Sequence, residues 1–376
     1  MFQLHAQSVI QSISTNVPST CYTQSQLKDK VIYPNKSIVN EIYNHSKISN
    51  RHLECDEYLE SESVAVKLQD RLERFKTSIT NLVLPTCIQA IKEANLEAID
   101  IDMIIYVSST GIYAPSLDVE IINRLQLKSD IQRHIVYFMG CAAAFVGMKI
   151  ANNYIKANPR ETKHVLMITA ELSSAHTHQE QIHNQDYSDQ INTLITHAIF
   201  ADGISAAVIS SKRNKNKTNK TNKTNKTNKL KIVDMGNYLL PNTTDGIVLS
   251  LDENAIHCTL SRYLPTYINK NIAAAITAFL QKNKLRMKDI GIWAVHPGGK
   301  RIIENVQQGL MLKESDVNHS WEILDKYGNM LSSSIMFVLE KIKNTDTNTN
   351  TTYCVAMSFS PGVGVECLLL RVKPPK

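Results

Sequence analysis

No stretch of this 376-residue chain approaches the roughly 18 consecutive apolar residues that a membrane-spanning helix needs. The N-terminal segment MFQLHAQSVIQSISTNVP has no basic start, long apolar run or small-residue cleavage site, so it does not read as a secretory signal. A cytoplasmic protein is expected, with no membrane association. No CxxC pair occurs among the seven cysteines, Cys21, Cys55, Cys87, Cys141, Cys258, Cys354 and Cys367. Their odd number and wide scatter exclude a zinc ribbon or dithiol redox centre, and no metal site is expected. Most read as small buried hydrophobes, and a reduced thiol remains free to act as a nucleophile where its surroundings lower its pKa.

Acidic residues are missing between positions 212 and 231, where nine basic residues fall. The net charge of +6 therefore leaves −3 on the rest of the chain, which argues against a nucleic-acid partner. Within this stretch the run NKNKTNKTNKTNKTNK, residues 214–229, has no aromatic and cannot bury apolar surface. It reads as a solvated insertion loop, with an electrostatic tether for an acidic partner as the alternative.

With 43% hydrophobic and 20% charged residues, the chain has the composition of a globular protein. Its length predicts two domains or one large duplicated one. The pattern favours duplication. Residues 81–95 and 271–283 repeat their apolar side chains at spacings of three and four, and each precedes an apolar strand-like run, MIIYV (103–107) or GIWAV (291–295). Each run enters a glycine-bearing turn, SSTG (108–111) or HPGG (296–299). Further on, Cys141 and Asn329 each open an apolar helix, followed by strands starting at Val165 and Tyr353. Ser108 and His296, Cys141 and Asn329, and Val165 and Tyr353 all lie 188 residues apart.

Each half then closes on a strand pair, HAIFADG (197–203) with ISAAVI (204–209) in one and residues 363–372 in the other. The alternation predicts an α/β architecture with largely parallel sheets covered by helices. Residues 1–211 form the first half, 212–231 the insertion and 232–376 the second half.

Two related halves packed about a pseudo-twofold axis would bring equivalent helix starts into one central cleft. Cys141 and Asn329 would face it, joined by His296 from the turn after a core strand. Taken singly, each has a bland role: a buried structural thiol, a hydrogen-bonded turn histidine and a helix cap. Their coincidence with the duplication favours chemistry. A thiol at a helix N-terminus beside an imidazolium is expected to fall from about 8.5 into roughly the 3.5–7.5 range, giving a resting thiolate. A carboxamide and an imidazole N–H aimed at one point can hold an oxyanion, each donor contributing about 2.7–4 kcal/mol.

These residues resemble the type III polyketide synthases, which include chalcone and stilbene synthases. The anchors are Gly140-Cys141, FADG (200–203), WAVHPGG (293–299), YGNM (327–330) and FSPG (359–362), and the likeness covers the chain apart from the insertion. The resemblance implies a thiolase-like fold with duplicated five-layered αβαβα architecture. It also implies a homodimeric acyltransferase without metal or tightly bound cofactor, using acyl-CoA and malonyl-CoA thioesters. Cys141 would hold the growing chain, while His296 and Asn329 would promote malonyl decarboxylation and stabilise the enolate. The product would leave as a resorcinol, phloroglucinol or pyrone.

Phe200 matches the family's gatekeeper phenylalanine beside the cysteine. The position of the second gatekeeper is Cys258, and Leu331 is bulkier than the small residue usual in plant members. Together these suggest a reshaped starter pocket, suited to an aliphatic acyl chain. Arg51 is the best local candidate for gripping CoA phosphates. A starter delivered by a carrier protein is also compatible with the pattern. One rival is a ketoacyl-carrier-protein synthase that extends only once; another is a non-catalytic scaffold or carrier-docking domain. A cysteine hydrolase is disfavoured, since nothing around Cys141 resembles a protease site. If the basic run is merely solvated, deleting residues 214–229 should leave product formation nearly unchanged.

Overall fold

A computed structural model describes residues 6–55, 67–177, 186–211, 227–345 and 351–374. The strands among them are β1 (Ser8–Asn16), β2 (Cys21–Thr23), β3 (Asn50–His52), β4 (Met103–Ser108), β5 (Gln132–Tyr137), β6 (His164–Leu172) and β7 (Asp202–Ser211), followed by β8 (Lys229–Leu239), β9 (Ile247–Leu251), β10 (Ile256–Leu260), β11 (Ile290–Val295), β12 (Thr352–Ser360) and β13 (Gly364–Lys373). Nine form one sheet in the order β11-β12-β13-β8-β1-β7-β6-β4-β5.

Side chains alternate between the faces of this sheet, as the two-residue period of a strand requires. Ile105, Val107, Val165 and Met167 point toward the centre, where they meet Ala294, Cys354, Ala356 and Leu368 from the other half. Two helices, Ala143–Ala157 and Ser334–Asn344, fill that central layer through Phe145, Met148, Ile335 and Val338. The intervening residues point outward. Ile104, Tyr106, Leu166 and Ile168 pack on helix Leu68–Glu93, and Trp293, Val295, Val355 and Met357 pack on helices Leu264–Lys282 and Lys300–Leu310. Helix, sheet, helix, sheet and helix follow in order, which is the five-layered αβαβα arrangement. Strands apolar on both faces are what such burial demands.

The halves repeat one topology: β4 parallel to β6 and antiparallel β7 in one, β11 parallel to β12 and antiparallel β13 in the other. They join where β1 pairs β8 at only Val9↔Lys231 and Ile10↔Leu230. Among the described residues, no helix is long and apolar enough to cross a membrane.

Four expectations change. The sheet is mixed rather than largely parallel, because β7 and β13 run antiparallel to both of their neighbours. The stretch HAIF is no strand: His197 and Ile199 end helix Tyr187–Ile199, whose Leu194 and Ala198 bury against Leu27, Val39 and Tyr43. The helix starts are 191 residues apart rather than 188. Gly140 and Leu331 open matching short turns with φ of 53° and 47°, so Ser332, not Asn329, occupies the place equivalent to Cys141. The spacing returns to 188 at β6 and β12 because the second central helix is four residues shorter than the first and the connection after it one residue longer.

The insertion also ends earlier than its composition suggests. Positions 212–226 lie outside the described residues, but Lys229 to Lys231 begin β8 and Leu230 is fully buried. Asn228 is buried too; its side-chain amide donates to the carbonyls of Ile342 and Thr345, both at 2.8 Å. Its backbone N–H donates to the carbonyl of Lys343. The last-turn carbonyls of helix Ser334–Asn344 have no partner within the helix, so this residue supplies it. Asn228→Ala should therefore lower the urea-unfolding free energy by about 1–3 kcal/mol, and deletion through residue 229 should do more. Replacing only 212–226 with a short linker should leave it unchanged.

Candidate active site

Cys141 lies in the turn Gly140–Ala142 that leads into the first central helix. The turn needs the left-handed φ of Gly140, whose N–H donates to Ser109 Oγ at 3.1 Å. This places the sulfur at the positive end of the helix, partly exposed toward a small internal space. His296 follows β11, and its N–H continues the ladder onto the Met357 carbonyl at 2.9 Å. The next turn closes when the Gly298 N–H donates to the His296 carbonyl at 2.8 Å. A Cβ on Gly298 would lie 3.3 Å from His296 Nε2, so the missing side chain leaves that edge of the ring clear.

Asn329 is held from both ends. Its N–H donates to the Ile199 carbonyl (2.8 Å), and its own carbonyl accepts from Ala201 N–H (2.9 Å), forming a bridge across Phe200. Its Oδ1 accepts from Leu331 N–H at 3.0 Å, and its Nδ2 donates to the Gly298 carbonyl at 3.2 Å. The Leu331 donor fixes which end of the amide is oxygen. Cys141 Sγ then sits 3.9 Å from Oδ1 and 4.0 Å from Nδ2.

All three line one cavity of about 40 Å³, together with Phe200, Cys258 and Leu331. The structure thus brings six of the seven sequence-derived candidates together. Arg51 is elsewhere. It is 1% exposed, and its Nη1 donates to the carbonyls of His197 (2.6 Å) and Phe200 (2.7 Å), so it cannot grip CoA phosphates from solvent.

The electrostatics also depart from expectation. Burial pushes the Cys141 thiol up, with Cys258 adding to the shift and Asn329 opposing it. Burial holds His296 down at about 3, again with Asn329 opposing. The pair is therefore a neutral thiol and a neutral imidazole, not the anticipated thiolate and imidazolium. Removal from water costs more than the helix end and the amide return. His296 is 1% exposed, and among the described residues neither ring nitrogen has a partner in good hydrogen-bond geometry.

Phe200, Leu249, Cys258 and Leu331 separate this cavity from a second of about 270 Å³. Among the described residues its walls are rich in polar groups, including Thr110, Ser173, Asn192, Thr193 and His257. On its far side the wall formed by Phe200, Cys258 and Leu331 faces hydroxyls and amides.

Sequence reasoning missed Glu171, which is fully buried at the end of β6. It accepts from Ser109 N–H, Thr110 Oγ1 and Ser332 Oγ, and burial raises it to about 7. A lone acid ending the apolar run of β6 was the available signal.

Two family profiles match, both described as chalcone and stilbene synthases: the N-terminal domain over residues 3–213 and the C-terminal domain over residues 231–374. The chain belongs to this family. It is a type III polyketide synthase, an acyltransferase of the condensing type. A protein of Mycobacterium tuberculosis described as alpha-pyrone synthesis polyketide synthase-like is 32% identical, over 97% of this chain and 91% of that one. A polyketide synthase of Dictyostelium discoideum is 33% identical over 90% of this chain but only 11% of its own length. The crystal structure of PKS-I from the brown alga Ectocarpus siliculosus superposes with a TM-score of 0.85 at 38% identity, covering 98% of each chain. The single-extension and scaffold readings are not favoured.

The unfolded chain binds a proton at His296 below about pH 6.5 and the folded synthase only near 3. This contribution to stability is complete above pH 6.5 and is lost as the pH falls toward 3, by about 2 kcal/mol at pH 5. Between pH 7 and pH 5, His296→Gln should lose about 2 kcal/mol less unfolding free energy than the wild type. An equal loss in both proteins would mean that the imidazole is solvated.

Proposed function

We propose that this synthase loads an acyl starter onto Cys141 and extends it repeatedly with malonyl-CoA before cyclising the product. The starter arrives as an acyl-CoA or on a carrier protein, and the working enzyme is a homodimer, each chain combining the halves 1–211 and 227–376. The observation that carries this reading is the buried imidazole with two unpaired nitrogens, facing the same small cavity as a thiol and a carboxamide. An unsatisfied buried ring is costly, and a substrate oxygen would remove the cost.

In the first half-reaction His296 takes the Cys141 proton as the thiol attacks the starter carbonyl. The acyl group moves to sulfur, and CoA leaves as a thiol after receiving the proton. Malonyl-CoA then enters the space walled by Phe200 and Leu331. A carboxylate is poorly solvated there, which favours its loss as CO2. The thioester enolate left behind places its oxygen between Asn329 Nδ2 and the imidazole N–H, two donors fixed beforehand. Its carbon attacks the Cys141 thioester carbonyl, forming the new C–C bond and releasing the sulfur.

Cys141→Ala should abolish product formation. Asn329→Ala and His296→Gln should each lower condensation by about 10²–10³-fold. Incubation with hexanoyl-CoA and labelled malonyl-CoA, read by mass spectrometry, should give cyclised products of more than one extension. A single two-carbon extension would sink the iterative reading.

A further inference from the structure

We propose that Arg51 is the positioning residue of the condensation, fixing one helix end so that Phe200 and Asn329 stay in register against Cys141. This rests on the assignments made for Cys141 and Asn329 above.

The last carbonyls of a helix have no partner within it. At the end of helix Tyr187–Ile199 four successive carbonyls are each taken by a group from elsewhere in the chain. Arg51 Nη1 donates to His197 and Phe200, Gln24 Nε2 donates to Ala198 at 2.7 Å, and Asn329 N–H donates to Ile199. Arg51 Nε also donates to Gln24 Oε1 at 3.0 Å, making the two side chains one clamp. A cation belongs at this negative end of the helix.

The residue leaving the clamp is Phe200, the cavity wall, and the bridge across it carries Asn329. On the other side, Gly328 has φ of 70°, and a Cβ there would lie 3.1 Å from both Arg51 Cγ and Cδ. The arginine stem therefore packs on the backbone that presents Asn329. Its head holds the backbone that presents Phe200. Arg51 itself is absent from the lining of either cavity, so it acts through those two residues rather than on substrate. A lysine would keep the charge but not the spread of donors that spans Gln24, His197 and Phe200.

The test uses the full chain with Arg51→Met, Arg51→Lys and Gln24→Met. Folding is followed by circular dichroism, Cys141 acylation from hexanoyl-CoA by intact mass, and CO2 released per C–C bond with labelled malonyl-CoA. In Arg51→Met, Cys141 should still acylate while condensation falls by about 10²-fold, the expected cost of displacing reacting groups by about 1 Å. CO2 per bond should rise and the products should shorten. Arg51→Lys should recover part of the loss, and Gln24→Met should shift the same ratios less. Combining Arg51→Lys with Phe200→Leu should change product lengths non-additively.

A folded Arg51→Lys or Gln24→Met protein with wild-type product lengths and CO2 ratio would overturn the proposal. So would a loss of activity that only tracks the folded fraction. If the wild type itself carries no acyl group on Cys141, the nucleophile assignment fails instead, an outcome visible before any Arg51 variant is read.

Discussion

Two backbone hydrogen bonds, from Asn329 N–H to Ile199 and from Ala201 N–H to Asn329, tie a segment of each half together beside the cavity. They place the carboxamide and the aromatic wall on the same stretch of backbone. Cys141 and His296 come from different halves, one from the turn that leads into the first central helix and the other from the end of β11. The bridge adds the carboxamide and the aromatic wall to that arrangement at one stroke. A main-chain link resists displacement better than a side-chain contact because its donors and acceptors have no rotamers to exchange.

The second governing fact is dryness. Burial keeps both thiol and imidazole uncharged, and the same dryness strengthens hydrogen bonds to any oxyanion that forms there. A pocket charged at rest would hold water tightly. One neutral at rest gives up little when substrate enters, and charge appears only as bonds are made. Glu171, pushed up by burial but gripped by Ser109, Thr110 and Ser332, lies behind the wall that Ser109 and Thr110 give the neighbouring cavity.

Much of this architecture was legible in the chain because apolar periodicity reports burial directly. The strands at MIIYV and GIWAV and the two central helices follow from it, while the five layers were implied by the family resemblance. What local pattern cannot report is the environment created by distant segments. HAIF has strand-like composition, yet its helix is set by packing on Leu27 and Tyr43, far away in sequence. Arg51 in SNRHLE looks like a surface cation because its partners, the carbonyls near residue 200, leave no local trace. The expected thiolate failed for a related reason. A helix end and an imidazole can be inferred from sequence, but desolvation depends on the completed cavity.

The matched turns at Gly140 and Leu331 carry a record of descent. In one copy the second residue of the turn carries a sulfur; in the other it is Ser332, whose hydroxyl is committed to the Glu171 carboxyl at 2.5 Å. The ancestral symmetry has thus been broken chemically while being kept geometrically. The second turn therefore offers no sulfur to the cavity, and its hydroxyl serves as a brace for a buried acid instead.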